Sequence, residues 1–180
     1  MRSPWRTLAA GLALALGAAV AALVPPAHAA NGIIIAIDPG HGGSDPGAVA
    51  NGLREKDLTL AVSLALKEEL ESYDGVTDLS SRVDMAAAAD ADALVSIHFN
   101  SASPIAHGAE VWYGNSSSYN YWTHTQGRTL SSNIQNQLTA LGLADRGIKT
   151  RDNEYYDYPD GSTGDYYAII RQAREENMPG

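Results

Sequence analysis

The sequence predicts a single layered α/β domain, a mixed or mostly parallel sheet flanked by helices, and three observations carry that expectation. Ile33-Ile34-Ile35-Ala36-Ile37 is a continuous apolar, β-branched run ended by Asp38-Pro39-Gly40, the pattern of a strand buried on both faces. A second short apolar run, Ala93-Leu94-Val95-Ser96-Ile97-His98-Phe99, is bounded by Asn100-Ser101. Between and after these runs, apolar residues recur at helical spacing, so strands alternate with helices as in α/β folds.

The elements follow in order. Arg2 and Arg6 give a positive start, Leu8 to Val24 is rich in Ala and Leu, and Ala27-His28-Ala29 forms a small-x-small cleavage pattern. Residues 1–29 therefore read as a secretory signal peptide rather than a membrane anchor, with the domain occupying residues 30–180. After the strand over 33–37 and a glycine-rich loop, Leu58, Val62, Leu66 and Leu70, with Ala61 and Ala65 beside them, form one apolar stripe. Lys67, Glu68 and Glu71 fall elsewhere, so an amphipathic helix is expected to cover the sheet. The alanine-rich stretch 81–91 is expected to be helical and to lead into the strand 93–99. Ala109 to Tyr113 reads as a further strand, and Leu130, Ile134, Leu138 and Leu141 mark a long helix stopped near Gly142. Residues 150–167 hold five tyrosines among Asp, Glu, Pro and Gly without periodicity and are expected to form an exposed loop.

Charge narrows the partners. Without the leader's two arginines, 10 basic side chains face 21 acidic ones, a formal charge of −11 that repels phosphate backbones and disfavours nucleic acid. No later segment is apolar enough to span a bilayer, so no membrane insertion is expected once the leader is cleaved. The chain has no cysteine, which excludes thiolate metal sites and thiol chemistry and leaves stability to packing, with or without a metal.

Ligands of open α/β sheets gather beyond the carboxyl ends of the strands, and His41 and His98 both fall at such ends. Each alone reads as a hydrogen-bonded structural residue, and Glu55 alone as an acid favoured by a helix N-terminus by about 0.3–1 kcal/mol. Together, two neutral imidazoles and one carboxylate are the ligand set of a catalytic zinc, with the fourth tetrahedral position open for water. His107 reads as a structural residue ahead of one at the edge of such a site, and not as a ligand; His124 reads as solvated, and the tyrosines of 151–167 as loop packing or substrate contacts.

Several motifs then carry a resemblance: residues 37–43 (Ile-Asp-Pro-Gly-His-Gly-Gly), Asp45-Pro46-Gly47-Ala48, Glu55-Lys56, Ser96 to Ser101, and His107-Gly108-Ala109-Glu110-Val111. Arg146-Gly147-Ile148-Lys149 and a strand over Tyr166 to Arg171 extend it to nearly all of residues 33–171. In these motifs and their order the chain resembles the zinc-dependent N-acetylmuramoyl-L-alanine amidases of bacterial cell walls. The resemblance implies Zn²⁺ held by His41, Glu55 and His98, peptidoglycan as substrate, and cleavage of the amide between N-acetylmuramic acid and L-alanine. It also implies a secreted, cell-wall or periplasmic location and a second glutamate as general base.

Two departures from that family qualify the expectation. Asp74-Gly75-Val76 runs directly into residues 77–82, too few for the family's strand of about 5 residues and its turn, so an internal strand is expected to be missing. The family's C-terminal strand, with its general-base glutamate, would begin about where the sequence stops, so the base is expected beyond Gly180. Glu175 and Glu176 sit in a polar, helix-like segment and are expected to face solvent. This leaves two rival readings: a non-catalytic peptidoglycan-binding or regulatory module, and a metal-free glycosidase built on two carboxylates.

Overall fold

The computed structural model describes residues 34–70, 83–99 and 107–180. The leader 1–29 and the segment where an internal strand is expected to be missing lie outside these described residues.

Strand β1 (Ile35–Pro39) pairs in parallel with β4 (Ala93–Ile97), from Ile35 opposite Ala93 to Pro39 opposite Ile97. Alternate residues of a strand point to opposite faces, and both faces of this pair are buried. On one face Ile35, Ile37 and Ala93 pack with Leu66 of helix α1 (Glu55–Leu70) and with Leu130 and Ile134 of helix α3 (Tyr121–Ala140). On the other, Ala36 and Leu94 pack with Val83 and Ala86 of helix α2 (Val83–Ala88), Ala173 of helix α4 (Ala168–Glu175), and Met178. A strand enclosed on both sides is thus written as an unbroken apolar run, and the expected α/β layering is observed.

Among the described residues the remaining strands form three further two-stranded sets. Strand β5 (Ala109–Trp112) pairs in parallel with β6 (Asp145–Lys149), joined through α3, which packs on both. Strands β2 (Val49–Ala50) and β3 (Leu53–Arg54) form a tight hairpin whose tip, Asn51-Gly52, has φ of 52° and 77°. Two consecutive positive φ values are what a two-residue hairpin turn of type I′ requires, and Asn-Gly supplies them with least strain. Helix α1 follows β3 without an intervening residue.

Several expected elements differ in detail. The helix expected over 81–91 is helical at Val83–Ala88, residues 81–82 lying outside the described set, and turns at Asp90 with φ 54°. The strand expected over 93–99 ends at Ile97, so His98 leaves the ladder and is free to turn toward the site. Residues 150–167 are not a plain loop: β7 (Asp152–Asp157) and β8 (Thr163–Asp165) form an antiparallel pair. Asp-Asn-Glu-Tyr-Tyr-Asp carries no apolar alternation because the strand is mostly exposed, and Tyr158, just past it, is buried instead. The strand expected over 166–171 is replaced by helix α4, whose buried residues Ile170, Ala173 and Arg174 stand at helical spacing. Leu141 caps α3 and is exposed rather than part of its buried stripe.

Candidate metal centre

Three segments bring the site together. His41 follows the end of β1, Glu55 opens α1, and His98 follows β4. Ligand atoms of the three all lie within 4.8 Å of one another. His41 Nε2 stands 3.2 Å from Glu55 Oε2, and His98 Nδ1 stands 3.3 Å from Glu55 Oε1. The imidazole rings meet edge to face with centroids 4.9 Å apart. Glu55 is buried at 5%, while both histidines are open to solvent on one side.

The carboxylate is prepared to remain ionised. Its Oε2 accepts the Ala48 N–H at 3.0 Å and its Oε1 the Phe99 N–H at 2.8 Å. Burial pushes the Glu55 carboxyl up, but these two amides and the facing imidazoles outweigh it and hold the group below its ordinary range. A second carboxylate fixes one imidazole from behind. Asp45 Oδ2 lies 2.9 Å from His41 Nδ1, and its Oδ1 accepts the Gly47 N–H at 3.0 Å. That hydrogen bond raises the His41 pKa, against a smaller lowering from burial. With its proton on Nδ1, the neutral ring turns Nε2 toward Glu55 as a free donor for a metal.

Close backbone approach makes the cluster possible. A Cβ on Gly40 would lie 2.4 Å from His98 Cε1, and one on Gly47 2.6 Å from His41 Cδ2. No side chain larger than hydrogen fits between these backbones and the rings. His41 itself adopts φ 67°, an unusual conformation for a non-glycine residue, which aims its ring at the cluster. Two imidazole nitrogens and a buried carboxylate facing one open space, with glycines cleared for the rings, fit a divalent cation that accepts nitrogen and oxygen donors.

A family profile described as N-acetylmuramoyl-L-alanine amidase matches residues 35–179, four-fifths of the sequence. The chain belongs to that amidase family. Among its relatives, the Bacillus subtilis protein YqiI is 42% identical over 84% of this chain and 75% of its own. The N-acetylmuramoyl-L-alanine amidase LytC of Bacillus subtilis is 38% identical over 66% of this chain, which takes up 25% of LytC. The amidase crystal structure from Clostridium difficile 630 superposes with a TM-score of 0.57 at 30% identity, covering 66% of this chain and 69% of that one.

Within this amidase-family domain the three expected ligands converge, and the other two described histidines, His107 and His124, do not join them. His107 is exposed just before β5. His124 is half-buried rather than solvated: its Nδ1 lies 2.8 Å from the Gly114 carbonyl and its ring stacks on Tyr121. Neither Glu175 nor Glu176 belongs to the cluster, and Glu175 is only half exposed because it accepts the Tyr156 hydroxyl. Asp45 is the residue that sequence reasoning left without a role. Its signal was present as an acid four positions after the first histidine, but Asp before Pro-Gly is also common in turns.

Proposed function

We propose that this chain is a zinc-dependent N-acetylmuramoyl-L-alanine amidase that hydrolyses the bond between the lactyl group of N-acetylmuramic acid and L-alanine of the stem peptide. The observation that carries the reading is the meeting of His41, Glu55 and His98 from three separate segments within 4.8 Å. Family membership and the relatives named as N-acetylmuramoyl-L-alanine amidases supply the substrate class.

His41 Nε2, a Glu55 carboxylate oxygen and a His98 ring nitrogen would hold Zn²⁺. When bound, zinc polarises a carbonyl and lowers the pKa of water toward about 7. The chain's own contribution is to keep Glu55 ionised through Ala48 and Phe99 and to keep His41 in the Nδ1–H form through Asp45. Solvent exposure of both imidazoles leaves one side of the cluster open to a polymeric substrate such as peptidoglycan. The general base is a different group, because Glu55 is committed to the metal and Asp45 to His41. With the leader 1–29 directing export, the place of action is the bacterial cell wall.

Purified protein should contain about one zinc per chain, and His98→Ala should contain none. Dye-labelled cell walls should release stem peptides in a reaction that EDTA stops and zinc restores. Sacculus binding without release would favour a regulatory module, and EDTA-insensitive release of reducing sugar would favour a glycosidase.

A further inference from the structure

The loop 40–48 is held to the start of α1 by four of its carbonyls. Ala48 O accepts the backbone N–H of Glu55 at 2.8 Å, and Pro46 O that of Lys56 at 3.2 Å. Gly43 O accepts Lys56 Nζ at 2.7 Å, an exposed bond. Gly40 O accepts the Thr59 hydroxyl at 2.7 Å, and this last bond is buried.

Thr59 is wholly enclosed at 0% exposure and stands four residues after Glu55, on the same face of α1. Its hydroxyl also approaches the Lys56 carbonyl at 3.2 Å. A hydroxyl has one proton to donate, and the shorter contact to Gly40 is the stronger of the two. Gly40 in turn donates its N–H to Ile97 O at 2.9 Å, immediately before His98. Its bare Cα faces the His98 ring, where an added Cβ would come within 2.4–2.6 Å of Cε1, Nε2 and Nδ1. It also directly precedes His41. Gly40 therefore touches all three ligand-bearing segments, and Thr59 is the side chain that ties it to the segment carrying Glu55.

We propose that Thr59 is a positioning residue for the metal centre, its hydroxyl fixing the separation between the Glu55 helix and the two histidines through Gly40. This rests on the zinc reading above. Valine has nearly the shape of threonine but no proton to donate, so Thr59→Val removes the tie while keeping the packing. It should weaken zinc binding about tenfold, in the range found when partners of metal ligands are removed. Thr59→Ser keeps the hydroxyl that Gly40 O accepts and should bind zinc close to as tightly as the original protein.

The test measures zinc dissociation constants by chelator competition and, in parallel, the melting temperature of the metal-free proteins. Val62→Ala serves as control, since Val62 is 2% exposed on the same helix and its truncation destabilises the core without touching Gly40. Weaker zinc binding by Thr59→Val than by Val62→Ala at comparable melting temperature supports the proposal. Unchanged zinc affinity in folded Thr59→Val overturns it and leaves Thr59 a packing residue. If Thr59→Val does not fold, Thr59→Ala, which also lacks the hydroxyl, decides, and original affinity in that variant overturns the proposal. Absence of zinc binding by the unaltered protein would instead remove the zinc reading itself.

Discussion

Arg174 and Asp165 form an enclosed ion pair, Nη1 to Oδ2 at 3.1 Å, with 1% and 2% of their side chains exposed. The guanidinium also donates to the carbonyls of Tyr119, Asn115 and Ser117 at 2.7–2.9 Å. The carboxylate accepts the Asn115 N–H at 2.6 Å and the Tyr158 hydroxyl at 2.7 Å. One arginine of α4 thereby ties the chain between β5 and α3 to the β7–β8 hairpin.

Arg174→Ala leaves the Asp165 charge buried and three carbonyls without their donor. Unfolding free energy should fall by about 3–5 kcal/mol, the usual cost of breaking a buried pair from one side. Urea denaturation measures it. A loss below about 1 kcal/mol would show that water replaces the guanidinium.

Gly40→Ala should empty the metal centre without altering any ligand. The new Cβ would sit 2.4 Å from His98 Cε1, so either the ring or the loop must move. Zinc content by elemental analysis should drop to near that of His98→Ala, and an occupied site in Gly40→Ala would contradict the close approach.

Asp45→Asn should preserve the fold and weaken zinc binding by about 10–100-fold, because the amide no longer selects the Nδ1–H tautomer of His41 as a carboxylate does. Chelator competition reads the change, and Asp45→Glu tests whether a longer carboxylate restores it.

Glu110 predicts a pH dependence. The Lys149 ammonium at 2.5 Å, opposed by burial and joined by Arg146 at 3.0 Å, holds its carboxyl down at about 2, against an ordinary value of 4.5. A folded pKa below the unfolded one means that its stabilisation is fully present above pH 4.5 and is lost as pH falls toward 2. With Arg146 and Lys149 partly solvated, the contribution is on the order of 1–2 kcal/mol. Stability of the original protein minus that of Glu110→Gln should therefore shrink between pH 5 and about pH 2. A difference that stays constant would mean the pair is screened out.

The parts of the fold that bury apolar residues were legible in the residues themselves. Ile35 to Ile37 needs two covering layers, and it has them. The β7–β8 pair was not legible, because a mostly exposed strand of Asp, Asn, Glu and Tyr gives no alternation to read. Helix α4 was hidden by Ile169-Ile170, β-branched residues that suit a strand equally well, and by an arginine that sequence alone places in water. At the site, residue type and position after a strand pointed to His41 and His98. The glycines of 40–43 pointed to a close backbone approach, which Gly40 makes against His98, but the roles of Asp45 and Thr59 depend on distances across the loop, and no local pattern encodes those.

The Asn51-Gly52 hairpin has one further consequence, for which changes of chain length the family could accept. Helix α1 begins at Glu55 directly after β3, so the two-residue ladder works as a phase-setter between hairpin and helix. One residue inserted between Arg54 and Glu55 would advance the helical register by about 100° and swing the carboxylate round the barrel of the helix. The same insertion at the exposed tip, Asn51-Gly52, would only lengthen a turn that points into solvent. Length variation should thus be tolerated at the tip and excluded a mere two residues later.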